Sequence, residues 1–275
     1  MTATYTIGID LGGTNIKGGV CDADSALIAR HSIDTQAERG PDHVIRRMAE
    51  LVDELRRRAK LDPAQVAGVG VGAPGPMSHK RGVVYHAPNL PGFVDIPLRD
   101  RMQAATGFRS VIENDANAAA YGEFAAGAGR DVRDMVMLTL GTGIGGGIIL
   151  DGQLCRGYFD NAGEVGHTLV VPNGRACPCG QHGCLERYAS ANAVAERLAE
   201  AVTAGEDSIL KPKVLAHTAF DARDVLAAID QGDTLAARIW DETCFYLALS
   251  VVNLQHVLNP ELVVFIAIIA VFLCT

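Results

Sequence analysis

Between residues 41 and 60 apolar residues recur at helical spacing. Val44, Met48, Leu51 and Leu55 fall on one face, and arginines and glutamates fill the other. That period predicts an amphipathic helix. Elsewhere the pattern is that of strands. Tyr5 to Asp10 is a short β-type run that turns at Gly12-Gly13-Thr14 into a second run through Val20. Asp22 and Asp24 mark another turn before Ala26–Ile28. Together these predict a β-meander. Val66 to Ala73 has the pattern of a buried strand, and it stops at Pro74-Gly75-Pro76. Residues 77 to 97 are rich in proline and glycine and read as a long loop. Val111-Ile112 leads into Glu113-Asn114-Asp115, and Ala116 to Ala126 is strongly helix-forming. The order then begins again. Asp134 to Leu140 reads as a strand, a glycine run follows at 141–147, and Ile148–Leu150 with the Asp151-Gly152 turn signals a hairpin. Residues 188–204 and 233–257 read as helices. Pro260 ends the second, and Leu262–Phe265 reads as a buried strand. The succession predicts an α/β protein of two similar lobes with a cleft between them.

Composition narrows what such a fold can do. The chain has 275 residues, 48% of them hydrophobic, and a net charge of −8. This is a globular composition with ample core, and the negative balance argues against a nucleic-acid partner. The longest apolar run, Leu262 to Cys274, is shorter than the ~20 residues a membrane-spanning helix needs, so no membrane partner is expected. The first twenty residues lack a basic start followed by an apolar block. Seven cysteines without an export signal point to a reducing, cytoplasmic setting and to metal binding rather than disulfides.

The glycines carry the first chemical signal. Gly141, Gly143 and Gly146 match a dinucleotide-loop pattern, but a strand and an Asp-Gly turn follow where that fold needs a helix. Gly68, Gly70 and Ala73 fail for a similar reason, because Pro74-Gly75-Pro76 cannot open the helix. Two other loops pair bare backbone with a hydroxyl: Asp10-Leu11-Gly12-Gly13-Thr14 and Leu140-Gly141-Thr142-Gly143. A single glycine loop is usually a tight turn. Two with a threonine at each tip would hold phosphate oxygens from two sides and clamp a triphosphate.

The second signal is metal-ligating. Cys177, Cys179 and Cys184 lie close together, with His167 upstream and His182 among them. Three thiolates and one imidazole make a closed tetrahedral set of the structural zinc type, and either histidine could complete it.

Asp10-Leu-Gly-Gly-Thr-Asn-Ile-Lys17, Gly70-Val-Gly-Ala-Pro-Gly75, Glu113-Asn-Asp-Ala-Asn117, Leu140-Gly-Thr-Gly143 and Glu164-Val-Gly-His167 together resemble the ROK family (repressors, open reading frames, kinases). Within it they are most similar to the bacterial glucokinases. The resemblance runs from about residue 5 to about residue 264. It implies a two-lobed actin/hexokinase-like (ribonuclease H-like) fold and transfer of the γ-phosphoryl group of ATP, with Mg²⁺, to a hydroxyl of glucose or a related hexose. The expected lobes are 1–117, with the first phosphate loop, and 118–275, with the second loop and the zinc segment. Asp115 would be the base that takes the proton of the sugar 6-hydroxyl. Asn114, Glu164, His167 and Glu186 would hold sugar hydroxyls, and Asn89 is a further sugar-site candidate, although a loop asparagine is usually a turn residue. Gly12, Gly13, Thr14, Asn15, Lys17, Gly141, Thr142 and Gly143 would meet the nucleotide. Asp10 would sit near Mg²⁺, with a turn-capping aspartate as its rival reading. The structural Zn²⁺ would take His167, Cys177, Cys179 and Cys184, leaving His182 outside.

Other classes are weighed against this reading. N-acetylmannosamine kinase and fructokinase share the motifs. A sugar-responsive repressor would carry a helix-turn-helix arm before the first glycine loop, which here starts at residue 10. After Val264 the family continues with a Gly-Gly-Gly-type turn against the adenosine and further helices. This chain reads Phe265-Ile-Ala-Ile-Ile-Ala-Val-Phe-Leu-Cys-Thr275. A truncated end, with much of the adenine pocket missing, is therefore expected, and a sugar-binding fragment without turnover is the corresponding alternative. Full-length relatives are expected to be dimers or tetramers.

Overall fold

The computed structural model describes residues 4–267. It divides into two compact units, Met1–Asp131 with Leu154–Ala162, and Val132–Gln153 with Gly163–Thr275. The first boundary falls at 131/132 rather than 117/118, because the helix that follows Asn114 packs on the strands of the first unit. A short stretch, 154–162, also returns to that unit.

In the first unit β1 (Tyr5–Leu11), β2 (Asn15–Cys21) and β3 (Leu27–Asp34) form the expected antiparallel meander. α1 (Pro41–Arg58) follows. Pro41 opens it, where a missing N–H costs nothing, and arginines fill its last turn. Val44, Met48, Leu51 and Leu55 are all buried, joined by Ile45 and Val52. β4 (Val66–Ala73) runs parallel to β1. The stretch read as a loop contains three very short strands, β5 (Met77–Ser78), β6 (Val83–His86) and β7 (Val94–Ile96), which make a small sheet of their own. α2 (Leu98–Thr106), β8 (Ser110–Asn114) and α3 (Asp115–Ala126) complete the unit. The main sheet has the order β3-β2-β1-β4-β8. Because β4 lies between two parallel neighbours, its continuous apolar pattern follows.

The second unit starts the same plan again. β9 (Met135–Leu140) and β10 (Ile144–Leu150) form a hairpin, and β11 (Gln153–Leu154) lies beyond it. The turn at Asp151-Gly152 has φ of 51° and 76°, the two positive values a tight primed hairpin turn requires. β12 (Leu262–Ala267) pairs parallel with β9, giving the order β11-β10-β9-β12. That order matches β3-β2-β1-β4 strand for strand. Between the hairpin and β12 come α4 (Glu186–Ala189), α5 (Ala191–Thr203), α6 (Lys211–Leu215), α7 (Ala222–Asp230) and α8 (Thr234–Leu258). The single helix expected at 188–204 is broken at Ser190, whose hydroxyl accepts the Ala193 N–H and so caps α5. Asp233 caps α8 on the Ala236 N–H, and Asn259, at φ 49°, ends it. Buried Arg197 ties α4 to α5 and α8: it donates to Tyr188 O (2.7 Å) and Thr243 Oγ1 (3.0 Å) and pairs with Glu242. Leu262, Val263, Val264 and Ile266 are only partly buried and Phe265 is exposed, not buried as the sequence suggested, because among the described residues β12 is the edge of its sheet. The apolar end at 268–275 lies outside the described residues. Among the described residues no helix is long and apolar enough to cross a membrane.

Candidate active site

In the first unit the chemistry gathers at the carboxyl ends of three parallel strands. Asp10 pairs in register with Gly72, and Gly72 with Glu113, so β1, β4 and β8 end in one row. With strands about 4.8 Å apart, Asp10 and Glu113 stand about 10 Å from each other across that row. Ligand sites of open α/β sheets favour this end. Gly72 runs beside the start of α3: a β-carbon on it would be in ordinary contact with Ala118 Cβ (3.5 Å) and the Asp115 Cα (3.7 Å).

Asn114 closes β8 and caps α3. Its Oδ1 accepts the N–H groups of Ala116 (3.0 Å) and Asn117 (3.1 Å). The oxygen being engaged, the amide NH₂ is the end left to donate. Asp115 is the first helical residue, and its Oδ1 accepts the Ala116 N–H at 2.8 Å. A carboxylate there is favoured by the positive end of the helix. Asp10 has an edge open to solvent, yet the surrounding chain strips enough water from its carboxyl to raise its pKa. Lys17, its cross-strand partner on β2, pulls the other way.

The loop Gly12–Asn15 joins β1 to β2. Gly12 N–H is taken by Asn15 O at 3.0 Å, and a β-carbon on Gly12 would come within 2.8 Å of that oxygen. Thr14 and Asn15 are exposed at the tip. Asn89 is beside this loop: a β-carbon on Gly13 would sit 3.0 Å from Asn89 O. A residue without a sequence signal braces it. Buried Thr35 donates its hydroxyl to Gly12 O (2.7 Å) and its N–H to Thr14 O (2.8 Å).

In the second unit the candidates converge on Ile144, the first residue of β10. Gly141–Gly143 is the hairpin turn before it, closed by Gly141 N–H to Gly143 O at 3.0 Å, with Thr142 exposed. Glu186 Oε2 accepts the Ile144 N–H at 3.0 Å. Gly166, inside the turn Val165–His167, lies so close that a β-carbon there would collide with Ile144 O. Glu164 precedes this turn and is exposed; His167 ends it, half-buried. A β-carbon on Gly143 would meet only the carboxyl end of the flexible Glu186 side chain. Gly166→Ala, whose β-carbon would strike the Ile144 backbone, is expected to cost about 1–3 kcal/mol by overpacking, measured by urea unfolding. Gly122→Ala in α3 meets nothing within 4 Å and is the control; it should be neutral or slightly stabilising.

The four thiol and imidazole groups come together. The donor atoms of His167, Cys177, Cys179 and Cys184 all lie within 4.8 Å of one another. Cys177 Sγ is 3.5 Å from His167 Nδ1, and Cys179 Sγ is 3.6 Å from Cys184 Sγ. A tetrahedron with metal–sulfur bonds of ~2.3 Å has edges of about 3.8 Å, so the donors are spaced for one ion. Burial pushes the Cys184 thiol up to about 12 and raises Cys177, which a cation at the centre would reverse. His182 is exposed and outside the set. Sharp turns make the cluster possible: Gly180 and Gly183 have φ of 91° and 88°.

The ROK family profile matches residues 6–270. The glucokinase of Halalkalibacterium halodurans is 36% identical over 96% of this chain and 80% of its own length. Among solved structures, a ROK hexokinase from Thermus thermophilus is 34% identical with a TM-score of 0.82, covering 98% of this chain and 83% of its own. A ROK family glucokinase from Streptomyces griseus, solved with glucose and AMPPNP, is 32% identical with a TM-score of 0.77, over 97% of this chain and 84% of its own.

Proposed function

This chain belongs to the ROK family and has its actin/hexokinase-like α/β fold, and we propose that it is an ATP-dependent sugar kinase that phosphorylates glucose at O6. The observation that carries the reading is the row at the ends of β1, β4 and β8, which sets Asp10, the loop Gly12–Asn15, Asn114 and Asp115 along one end of a single sheet. A relative that holds glucose and an ATP analogue on the same fold supports the two substrates.

In this mechanism the glucose 6-hydroxyl attacks the γ-phosphorus, ADP leaves, and Asp115 takes the hydroxyl proton. The Asn114 NH₂ donates to a neighbouring hydroxyl. Glu186, whose Oε2 is engaged by Ile144, offers Oε1, and His167 offers the ring nitrogen not turned to Cys177. With Gly12 N–H already taken, the N–H groups of Gly13 and Thr14 and the Thr14 hydroxyl would meet phosphate oxygens. Thr142 and Gly143 would act likewise in the second unit, and Lys17 adds positive charge beside Asp10. Mg²⁺ would screen the phosphate charge. Asp10 is the carboxylate suited to it, since this ion usually takes only one or two protein carboxylates beside phosphates. His167, Cys177, Cys179 and Cys184 would hold a structural Zn²⁺ that orders the segment carrying His167 and Glu186.

The test is ADP release from ATP by the purified chain with glucose, mannose, fructose and N-acetylmannosamine in turn. Glucose should give the highest kcat/KM. A tenfold preference for N-acetylmannosamine would overturn the glucose assignment and leave a kinase. Glucose binding in a calorimeter with no ADP release for any sugar would leave a sugar-binding protein without turnover.

A further inference from the structure

Glu113 precedes the two residues assigned to sugar and proton, and its carboxylate is nearly buried, with a side-chain exposure of 16%. Both its oxygens are engaged. Oε1 accepts the Asn114 N–H at 3.1 Å and lies 3.4 Å from Asn117 Nδ2; Oε2 accepts Arg156 Nε at 2.7 Å. His79 Nδ1 is 3.4 Å from Oε2, but it sits closer, at 2.9 Å, to Ile112 O. Arg156 comes from the stretch Leu154–Ala162, which is built into the first unit at two points. Its own loop is closed by Ala162 N–H to Arg156 O at 2.9 Å, and Ser78 Oγ donates to Asp160 Oδ2 at 3.1 Å.

We infer that Glu113 and Arg156 are a positioning pair that fixes the peptide bearing Asn114 and Asp115, and so sets the rate of the reaction proposed above, on which this inference rests. The carboxylate grips the N–H of Asn114 with one oxygen and the guanidinium with the other. Arg156 therefore determines where that grip lies. Without it, Glu113 turns toward water or His79 and the peptide gains freedom. Misplacement of a reacting group by 1 Å can cost about 10²-fold in rate. Neither residue touches substrate in this account.

The experiment compares wild type, Arg156→Ala, Arg156→Lys, Glu113→Gln and the double variant Glu113→Gln/Arg156→Ala, in glucose-dependent ADP release well below each melting temperature. Arg156→Ala should lower kcat by about 10- to 100-fold with KM for ATP within twofold. Arg156→Lys should recover part of the loss. Glu113→Gln sets an NH₂ against the arginine and should be as slow as Arg156→Ala, whereas the double variant should be no slower than either single one. A purely structural ion pair would lower the melting temperature and leave kcat alone. Wild-type kcat, within twofold, in Arg156→Ala and Glu113→Gln overturns the inference. If Arg156→Ala does not fold, Arg156→Lys and Glu113→Gln decide in the same way. Failure of the kinase reading looks different, because wild type itself then turns over no sugar. In that case glucose affinity is read by calorimetry: a loss of fivefold or more in Arg156→Lys and Glu113→Gln upholds the pair through Asn114, and unchanged affinity overturns it.

Discussion

Replacing Asp115 with Asn should lower kcat for glucose phosphorylation by about 10²- to 10⁴-fold, the range a positioned general base contributes, while glucose still binds. The substitution keeps the shape of the side chain and an oxygen for the Ala116 N–H, the contact that seats Asp115 in the first turn of α3. What it removes is the capacity to take the hydroxyl proton. Asn114 retains its cap, so the helix start should persist and the melting temperature should move little. Steady-state kinetics with glucose calorimetry separate the two effects. A variant keeping more than a tenth of the wild-type kcat would remove Asp115 from the chemistry. Loss of glucose binding together with kcat would instead make Asp115 a binding group.

Much of the frame behind that prediction was legible in order of residues. α1 and β4 announce themselves because one face, or both, must be apolar over several turns or a whole strand. The restart near residue 134 reads as a second meander because its glycine turn and Asp-Gly turn are local signals. Short elements escaped. β5 to β7 have two to four residues each, too few for any period. α2, α6 and α7 lie outside the helices the sequence predicts, although α7 carries a signal, the reciprocal capping of Asp221 and Asp224 ahead of buried Val225 and Ala228. The candidate site divides along the same line. Asp10, Asn114 and Asp115 lie in contiguous motifs. Thr35, which braces the first glycine loop, and Arg156, which holds Glu113, are 23 and 43 residues from the atoms they contact. Only folding brings them there. The same cause hides the return of Leu154–Ala162 to the first unit, which depends on Ser78 and Glu113 rather than on any local pattern.

Loss of the metal should act on stability and sugar binding together. The wild-type chain should carry one zinc ion by elemental analysis, and Cys184→Ser should carry none. Cys184 is fully buried, and the next residue, Leu185, donates its N–H to Thr168 O at 2.9 Å, beside His167. Glu186 follows at the start of α4. With an ion bound, Cys184 and His167 would tie together both segments that would meet the sugar. An ion present at 1,000 times its Kd adds about 4 kcal/mol to the folded state. Each kcal/mol moves Tm by about 2–4 °C in a chain near this size, so Cys184→Ser, or a strong chelator on wild type, should lower Tm by about 10 °C. KM for glucose should rise with it. His182→Ala, altering an exposed imidazole outside the cluster, should leave zinc content and Tm unchanged. His167→Ala separates the two roles assigned to that ring, since it removes a ligand and a sugar contact at once and should weaken glucose binding more than Cys184→Ser does. A wild-type chain free of zinc whose Tm ignores the chelator would overturn the metal assignment, and the three cysteines would then be packing residues alone.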